Sequence, residues 1–88
     1  MAYTLEVAES VYKTFKKMKK RESYILDSIK EKIDEILEDP YRFKPLNAPM
    51  QHMRRVHIMK SFVLVYTIDK QTKTVKIKDF AHHDEAYH

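Results

Sequence analysis

The residue types best suited to acid–base chemistry are concentrated in the second half of the chain. All five histidines lie between positions 52 and 88, and two adjacent arginines, Arg54 and Arg55, lie among them. Histidine titrates near neutral pH, so it can accept or donate a proton, and arginine offers a fixed pair of donors to a phosphate. We therefore expect any chemistry to lie in the stretch from Arg54 to Tyr87.

Cleavage of RNA without a metal is the reaction that this combination of residues suits. The 2′-hydroxyl must lose a proton as it attacks the neighbouring phosphate, and the departing 5′-oxygen must gain one. The crowded anionic phosphate also needs cations, which Arg55 can supply beside His57. A single histidine on a strand, such as His57, is more often an ordinary surface or half-buried residue, so these residues alone are a weak signal for catalysis.

A metal site is a second interpretation of the histidines near the end of the chain. His82, His83 and Asp84 carry ligand types that suit zinc, and His88 follows them. Adjacent residues on an extended chain point in opposite directions, however, and the sequence has no HExxH pattern. We predict neither a metal site nor a cofactor.

The composition indicates one small cytoplasmic domain that spans residues 1–88. With 43% hydrophobic and 34% charged residues, the chain can bury one core, and it is too short for two. The absence of cysteine fits a reducing compartment. No apolar run approaches the roughly 20 residues of a membrane helix, so we expect no membrane association. The absence of glycine excludes the Gly-rich loops that bind nucleotide phosphates.

The positive charge is distributed unevenly along the chain. Of the net charge of +4, residues 1–45 contribute +1 (ten Lys/Arg, nine Asp/Glu) and residues 46–88 contribute +3 (seven Lys/Arg, four Asp/Glu). A surface of this sign attracts a polyanion such as RNA, DNA or an acidic protein segment. The same excess also serves solubility, and charge alone does not separate the two roles.

The first half of the chain predicts a short strand followed by two helices. Alternating apolar residues indicate a strand over Tyr3–Val7, and helical spacing indicates a first helix from about Ala8 to about Lys20. Ser23 is the expected N-cap of a second helix, which the Asp-Pro pair at 39–40 ends. So short a break between the helices predicts a helical hairpin.

Three strands are expected in the second half, so the complete order is β-α-α-β-β-β. The predicted strands are Met53–Met59, Phe62–Asp69 and Thr74–Phe80. Their connections are short enough for hairpins, which predicts an antiparallel meander. Alternation directs four apolar residues toward the helices: Val56, Ile58, Val75 and Ile77. The opposite side would then carry Arg55, His57, Lys76, Lys78 and Phe80.

The order of these segments resembles the RelE/ParE superfamily of toxins from toxin–antitoxin pairs, over nearly the whole chain. AYTLEVAESVYKTFKKM is similar to the opening strand and helix of that family, and LEDPYRFKPLNAPMQHMRRVHI to its helix end, proline-leucine loop and second strand. FVLVYTID resembles its third strand, and AHHDEAY its closing basic residue followed by tyrosine. The resemblance implies an α+β domain with a small antiparallel sheet packed against an N-terminal helical hairpin.

The resemblance also implies an activity and its partners. Family members of the RelE type are mRNA endoribonucleases that commonly act in the ribosomal A site and are held inactive by a small antitoxin. By position, His57 and His83 match histidines of the YafQ-like branch, and Arg55 matches a residue that faces the phosphate. Tyr87 matches the aromatic residue that stacks on the substrate base. The expected partners are therefore mRNA, the ribosome and a cognate antitoxin.

A further set of basic residues is predicted to contact RNA phosphates: Lys44, Arg54, Lys60, Lys76, Lys78 and His82. Three positions depart from the pattern of the family. Val63 stands where many RelE-like members have an arginine, Ser61 stands where the YafQ-like branch has an acidic residue, and Lys44 replaces a histidine of that branch. Two alternatives follow: a ParE-like toxin that inhibits DNA gyrase without cutting RNA, and an inactive member that only binds an antitoxin or DNA.

Overall fold

The structure, a computed structural model, describes residues 3–49 and 52–82. Its six elements are β1 (Thr4–Val7), α1 (Glu9–Arg21), α2 (Ser23–Glu38), β2 (Met53–Ile58), β3 (Phe62–Asp69) and β4 (Thr74–His82). This order confirms the predicted α+β arrangement of one strand, two helices and three strands. Neither helix is long and apolar enough to cross a membrane.

The second helix is held to the sheet by a stripe of isoleucines. Ile25, Ile29, Ile33 and Ile36 are all buried, and their spacing of three or four residues places them on one face of α2. Burial of one such side chain contributes about 1.5–3 kcal/mol to the free energy of unfolding. The packing of this face, more than helix propensity, therefore keeps α2 in place.

A single residue, Glu22, separates the two helices. Its backbone N–H still bonds to the carbonyl of Met18 at 2.8 Å, and α2 begins at the next residue, Ser23. The prediction that Ser23 caps α2 is therefore wrong, because the cap position belongs to Glu22, which makes no side-chain cap bond. The chain leaves one helix and enters the next without the extra residue that a serine cap would need.

The strands form one four-stranded sheet in the order β1-β4-β3-β2. The meander from β2 to β4 is antiparallel, as predicted, but β1 lies parallel to β4, so the sheet is mixed. A hairpin turn forces its two strands to be antiparallel, whereas β1 and β4 are separated by most of the chain. Tertiary packing, and no local turn, decides the direction of that pair.

Strand β4 contains a bulge at Lys78. Ile77 pairs with Tyr66 and Asp79 pairs with the adjacent Val65, so Lys78 is an extra residue without a counterpart in β3. An inserted residue shifts the alternation of side chains by one position for the remainder of the strand.

The bulge changes the side of the sheet on which Phe80 lies. Its ring packs on the helix side, 5.7 Å from the ring of Phe15 and 5.2 Å from that of Phe62. The prediction that Phe80 shares a surface with Lys76 and Lys78 is therefore wrong, because regular alternation ends at the bulge.

The loop between α2 and β2 is fastened to the sheet by two side chains. Tyr66 is completely buried, and its hydroxyl donates to the carbonyl oxygen of Pro40 at 2.7 Å. The guanidinium group of Arg54 donates to the carbonyl oxygen of Phe43 at 2.6 Å. Burial raises the pKa of the Tyr66 hydroxyl to about 12, although the nearby positive charge of Arg54 opposes the shift. Residues 40–43 of the loop therefore have a defined path despite their irregular backbone.

Candidate functional site

Three rows of side chains form the face of the sheet opposite the helices, which we call the open face. Strand pairing places Met53, Thr67 and Lys76 in the first row, Arg55, Val65 and Asp79 in the second, and His57, Val63 and Ala81 in the third. Neighbouring strands lie about 4.8 Å apart, so side chains within a row are in reach of one another. β2 is an edge strand, so Arg55 and His57 lie at one border of this face.

A groove at this border brings together three of the predicted site residues. Lys44, Arg55 and His57 line it, and its volume is about 430 Å³. The groove, which we call the β2 groove, is completed by Lys32, Phe43 and Val56. None of these described lining residues is acidic, and although Lys32 pairs with Glu35 at 3.4 Å, the cations that line the groove favour an anion.

The backbone of the loop explains how Lys44 reaches the β2 groove. The N–H of Leu46 donates to the carbonyl of Met53 at 2.8 Å, and the N–H of Arg55 donates to the carbonyl of Lys44 at 3.4 Å. Pro45 forms an isolated antiparallel bridge with Arg54. A short stretch of the loop therefore runs beside β2 like an extra strand and places Lys44 next to Arg55.

Arg54 lies on the other side of β2 from Arg55. It pairs with the buried Tyr66, its guanidinium group bonds the loop carbonyl of Phe43, and it lies 5.2 Å from the centre of the Tyr41 ring. These contacts give Arg54 a role in holding the loop. Its predicted contact with RNA phosphate remains a prediction.

Val63 occupies the position beside His57 where a cation was expected. Its side chain is 2% exposed although it lies on the open face, between His57 and Ala81 in the third row. The apolar run from Phe62 to Tyr66 is therefore divided between the two sides of the sheet. Val63 and Ala81 therefore place apolar side chains beside His57 in the third row, where a cation was expected.

The remaining predicted residues lie apart from the β2 groove. Lys60 is exposed in the turn after β2, and Lys76 and Lys78 line a second groove farther along the open face. His82 lies at the end of β4 with its ring centre 4.6 Å from that of Phe62. Its alignment with Phe62 places it on the helix side of the sheet, away from His57.

Two predicted catalytic residues, His83 and Tyr87, lie outside the described residues. Within residues 3–49 and 52–82, no three histidine, aspartate or glutamate side chains come together as a potential metal site. The geometry available for the site is therefore that of Lys44, Arg55 and His57.

Sequence reasoning did not identify two residues of the β2 groove, Lys32 and Phe43. The ammonium group of Lys32 lies 6.0 Å from the centre of the Phe43 ring, at the outer limit of a cation–π contact. Lys32 belongs to α2 and Phe43 to the loop, so no local pattern connects them with β2. In the sequence, the only indication that Lys32 and Phe43 could line a binding groove is that one is basic and the other aromatic.

Comparison with known proteins identifies the family of the chain. A family model described as the ParE toxin of the type II toxin–antitoxin system parDE matches residues 4–87. The chain is 45% identical over 85 residues to an uncharacterized protein of Methanosarcina mazei, with 97% of this chain and 99% of that protein covered. It is 44% identical over 85 residues to a protein of Methanocaldococcus jannaschii named as toxin RelE4, with 97% and 90% covered.

A solved structure agrees with this assignment. A mutant of the Escherichia coli toxin RelE in complex with a peptide of antitoxin RelBc is similar to this chain with a TM-score of 0.74 and 25% identity. The match covers 99% of this chain and 92% of that chain. Family model, relatives and fold agree over nearly the whole length, and the chain belongs to the RelE/ParE superfamily as a toxin of a type II toxin–antitoxin system.

Proposed function

We propose that this toxin is an endoribonuclease that cleaves mRNA by attack of the 2′-hydroxyl on the adjacent phosphate. The observation that carries the proposal is the convergence of Lys44, Arg55 and His57 in the β2 groove. A gyrase inhibitor that acts by protein contact alone has no need of a titratable imidazole among phosphate-binding cations. Cleavage of RNA at a phosphate, by contrast, needs both a proton-transfer group and cations that bind the phosphate.

In this proposal the residues divide the reaction between them. One imidazole of the pair His57 and His83 removes the proton from the 2′-hydroxyl, whose oxygen forms a new bond to phosphorus. The bond from phosphorus to the 5′-oxygen breaks, and the other imidazole donates a proton to that oxygen. Arg55 and Lys44 neutralise the phosphate, and Tyr87 stacks on the base. The products are a 2′,3′-cyclic phosphate and a 5′-hydroxyl, with no metal taking part.

A cognate antitoxin is the proposed protein partner. The similar E. coli toxin was solved with a peptide of its antitoxin, and the net charge of +4 suits an acidic segment. A short acidic protein encoded in the neighbouring reading frame that co-purifies with this chain as a hetero-oligomer would support the pairing. A ribosomal A-site location for cleavage is also proposed, and stimulation of cleavage by added ribosomes tests it.

The substitution His57→Ala tests the catalytic assignment. We expect cleavage of mRNA to fall by about 10²–10⁴-fold, because one proton-transfer group is lost. His57 is exposed, so the folded state should survive the change. The measurement is the rate of RNA cleavage by purified protein with and without ribosomes, with identification of the cyclic phosphate end, beside growth of cells that lack the antitoxin.

His82→Ala is the matched control, since it also removes an imidazole but from the helix side of the sheet. It should keep nearly the whole cleavage rate. Wild-type protein that neither slows growth nor cuts RNA would contradict the proposal, and equal loss in the two variants would remove His57 from the reaction.

Inhibition of DNA gyrase is a second candidate function, because the family model that matches residues 4–87 is that of the ParE toxin. In that case the purified protein should block supercoiling of relaxed plasmid DNA by gyrase, and His57→Ala should have little effect. An active supercoiling reaction at saturating toxin, together with RNA cleavage, would exclude this candidate.

A further inference from the structure

A second basic groove lies on the open face, at its first row. Its volume is about 530 Å³, and four basic residues line it: His52, Lys70, Lys76 and Lys78. The other lining residues are Met53, Thr67, Ile68 and Asp69. We call it the lysine groove. It shares the open face with the β2 groove but has no lining residue in common with it.

The bulge in β4 allows Lys76 and Lys78 to line the lysine groove while Phe80 packs in the core. Without an inserted residue, a strand that presents Lys76 and Lys78 to the open face would present Phe80 there as well. The extra residue at Lys78 returns Phe80 to the helix side, where it packs on Phe62. The groove therefore keeps both cations while the core keeps its aromatic ring.

Asp69 provides the one carboxylate that lines this groove, and that carboxylate accepts hydrogen bonds from the turn that follows β3. The Oδ1 atom of Asp69 accepts bonds from the backbone N–H groups of Gln71 at 3.0 Å and Thr72 at 3.2 Å. The bond from Thr72 is the main reason that the pKa of the Asp69 carboxyl lies below its usual value. Three lysines against one engaged carboxylate leave the groove positive.

The two grooves lie a short distance apart on the open face. From Arg55 to Lys76 the path crosses two strand spacings and two residues, roughly 12 Å between Cα atoms. Met53 and Thr67 line the lysine groove beside Lys76 in the first row, and Val65 and the carboxylate of Asp79 lie beside Arg55 in the second row. A single strand can place its phosphates at the two basic ends and leave its bases free to lie over Val65 and Met53, whereas a duplex keeps its bases stacked inside.

We propose that the lysine groove is a second phosphate-binding subsite, so that the substrate is single-stranded RNA that crosses the open face from the β2 groove. The inference rests on the proposed function for the first subsite and adds the second subsite and the length of RNA that is bound. Lys76 and Lys78 hold backbone phosphates roughly 12 Å along the strand from the cleaved bond. Lys70, whose ammonium group lies 5.8 Å from the centre of the Tyr41 ring, closes the end of the groove.

Binding of uncleavable RNA of two lengths tests the second subsite apart from catalysis. The probes are fluorescent 2′-O-methyl RNA strands of about 12 and about 3 nucleotides, which lack the attacking hydroxyl. The double variant K76Q/K78Q should bind the longer strand about tenfold more weakly. Its slope of log affinity against log salt should be less steep by about 1.4, since two phosphates lose their cations. The shorter strand should bind unchanged.

The double variant K13Q/K17Q is the matched control, because it removes the same charge from exposed positions of α1. It should change binding of both strands by less than about twofold. Lys76 is half-buried, so its replacement could impair folding of the double variant. The variant K70Q, at an exposed position, therefore serves as a second test and should show the same length-dependent loss of RNA binding.

The outcomes separate this inference from the proposed function. A length-dependent loss upholds the subsite even if the wild type proves unable to cut RNA. Equal loss in the two double variants, loss with the shorter strand as well, or no RNA binding at all overturns it. Loss of binding to a polyglutamate peptide in K76Q/K78Q, with RNA binding intact, would also overturn it and assign the groove to an acidic protein segment.

Discussion

At the scale of single residues, Tyr66 links the core to the candidate site. Its ring is fully buried beneath the helices, and its hydroxyl holds the carbonyl oxygen of Pro40 at the start of the loop that carries Lys44. A buried hydroxyl without this bond would cost free energy, so the bond fixes both the rotamer of the tyrosine and the path of the loop. Packing and site geometry therefore depend on the same side chain.

Replacement of Tyr66 by phenylalanine should lower the free energy of unfolding by about 1–3 kcal/mol, because the carbonyl of Pro40 loses its buried donor. The measurement is chemical denaturation at neutral pH. The exposed Tyr24, with 59% of its surface accessible, provides the matched control, and Tyr24→Phe should change stability very little.

The raised pKa of Tyr66 also predicts a loss of stability in alkali. The unfolded tyrosine releases its proton near pH 10, whereas the folded one keeps it to about pH 12. The stabilising contribution is therefore complete below pH 10 and is lost as the pH rises through this interval. Unfolding measured between these values should show a decline that Tyr66→Phe reduces and Tyr24→Phe does not. An identical decline in the two variants would contradict this linkage.

At the scale of elements, the turns of this glycine-free chain use left-handed residues that carry side chains. Met59 and Lys60, in the turn between β2 and β3, have φ values of 53° and 70°, and Lys73, before β4, has 50°. This conformation crowds the β-carbon against the backbone and costs a non-glycine residue roughly 1–2 kcal/mol. The hairpins therefore form because the packed strands hold them, against the preference of the turn residues.

Substitution of glycine for Lys73 should raise the free energy of unfolding by about 0.5–1 kcal/mol. Relief of the left-handed strain exceeds the extra entropy that glycine brings to the unfolded chain. Gln71→Gly in the same turn is the control, since Gln71 has no positive φ and glycine there should be neutral or destabilising. The measurement is thermal and chemical unfolding of the two variants; stabilisation by both or by neither would contradict the assignment of strain to Lys73.

At the scale of the whole molecule, the sheet separates a structural side from the side that carries the candidate site. The helices and core rings lie on one side, whereas Arg55 and His57 lie on the other. The position of His82 in β4 places its imidazole against the ring of Phe62 on the helix side, whereas the imidazole of His57 lies on the open face. Residue type alone does not assign a histidine to either role.

For this reason His82→Ala should affect stability and leave RNA binding nearly unchanged. Loss of its contact with the Phe62 ring should cost about 0.5–1.5 kcal/mol, and affinity for the longer 2′-O-methyl strand should change by less than about twofold. Denaturation and fluorescence anisotropy on the same sample measure the two effects. A large loss of affinity with unchanged stability would restore the predicted phosphate contact of His82.

The periodic segments were predictable because their burial is periodic. The isoleucines of α2 and the alternation of Val56 and Ile58 in β2 lie where the pattern placed them, and β3 has the predicted bounds Phe62–Asp69. Arg55 and His57 were predictable on one face for the same reason, since successive residues of a strand alternate sides.

What the sequence by itself determined is the order of elements, the helix and strand faces, and the placement of Arg55 and His57 on one surface. Tertiary structure alone decided the parallel pairing of β1 with β4, the bulge at Lys78 and the position of Lys44. Local periodicity encodes which side of an element is buried. Partners distant in sequence meet only when the core closes, because their contacts depend on loop paths and strand register that no local pattern specifies.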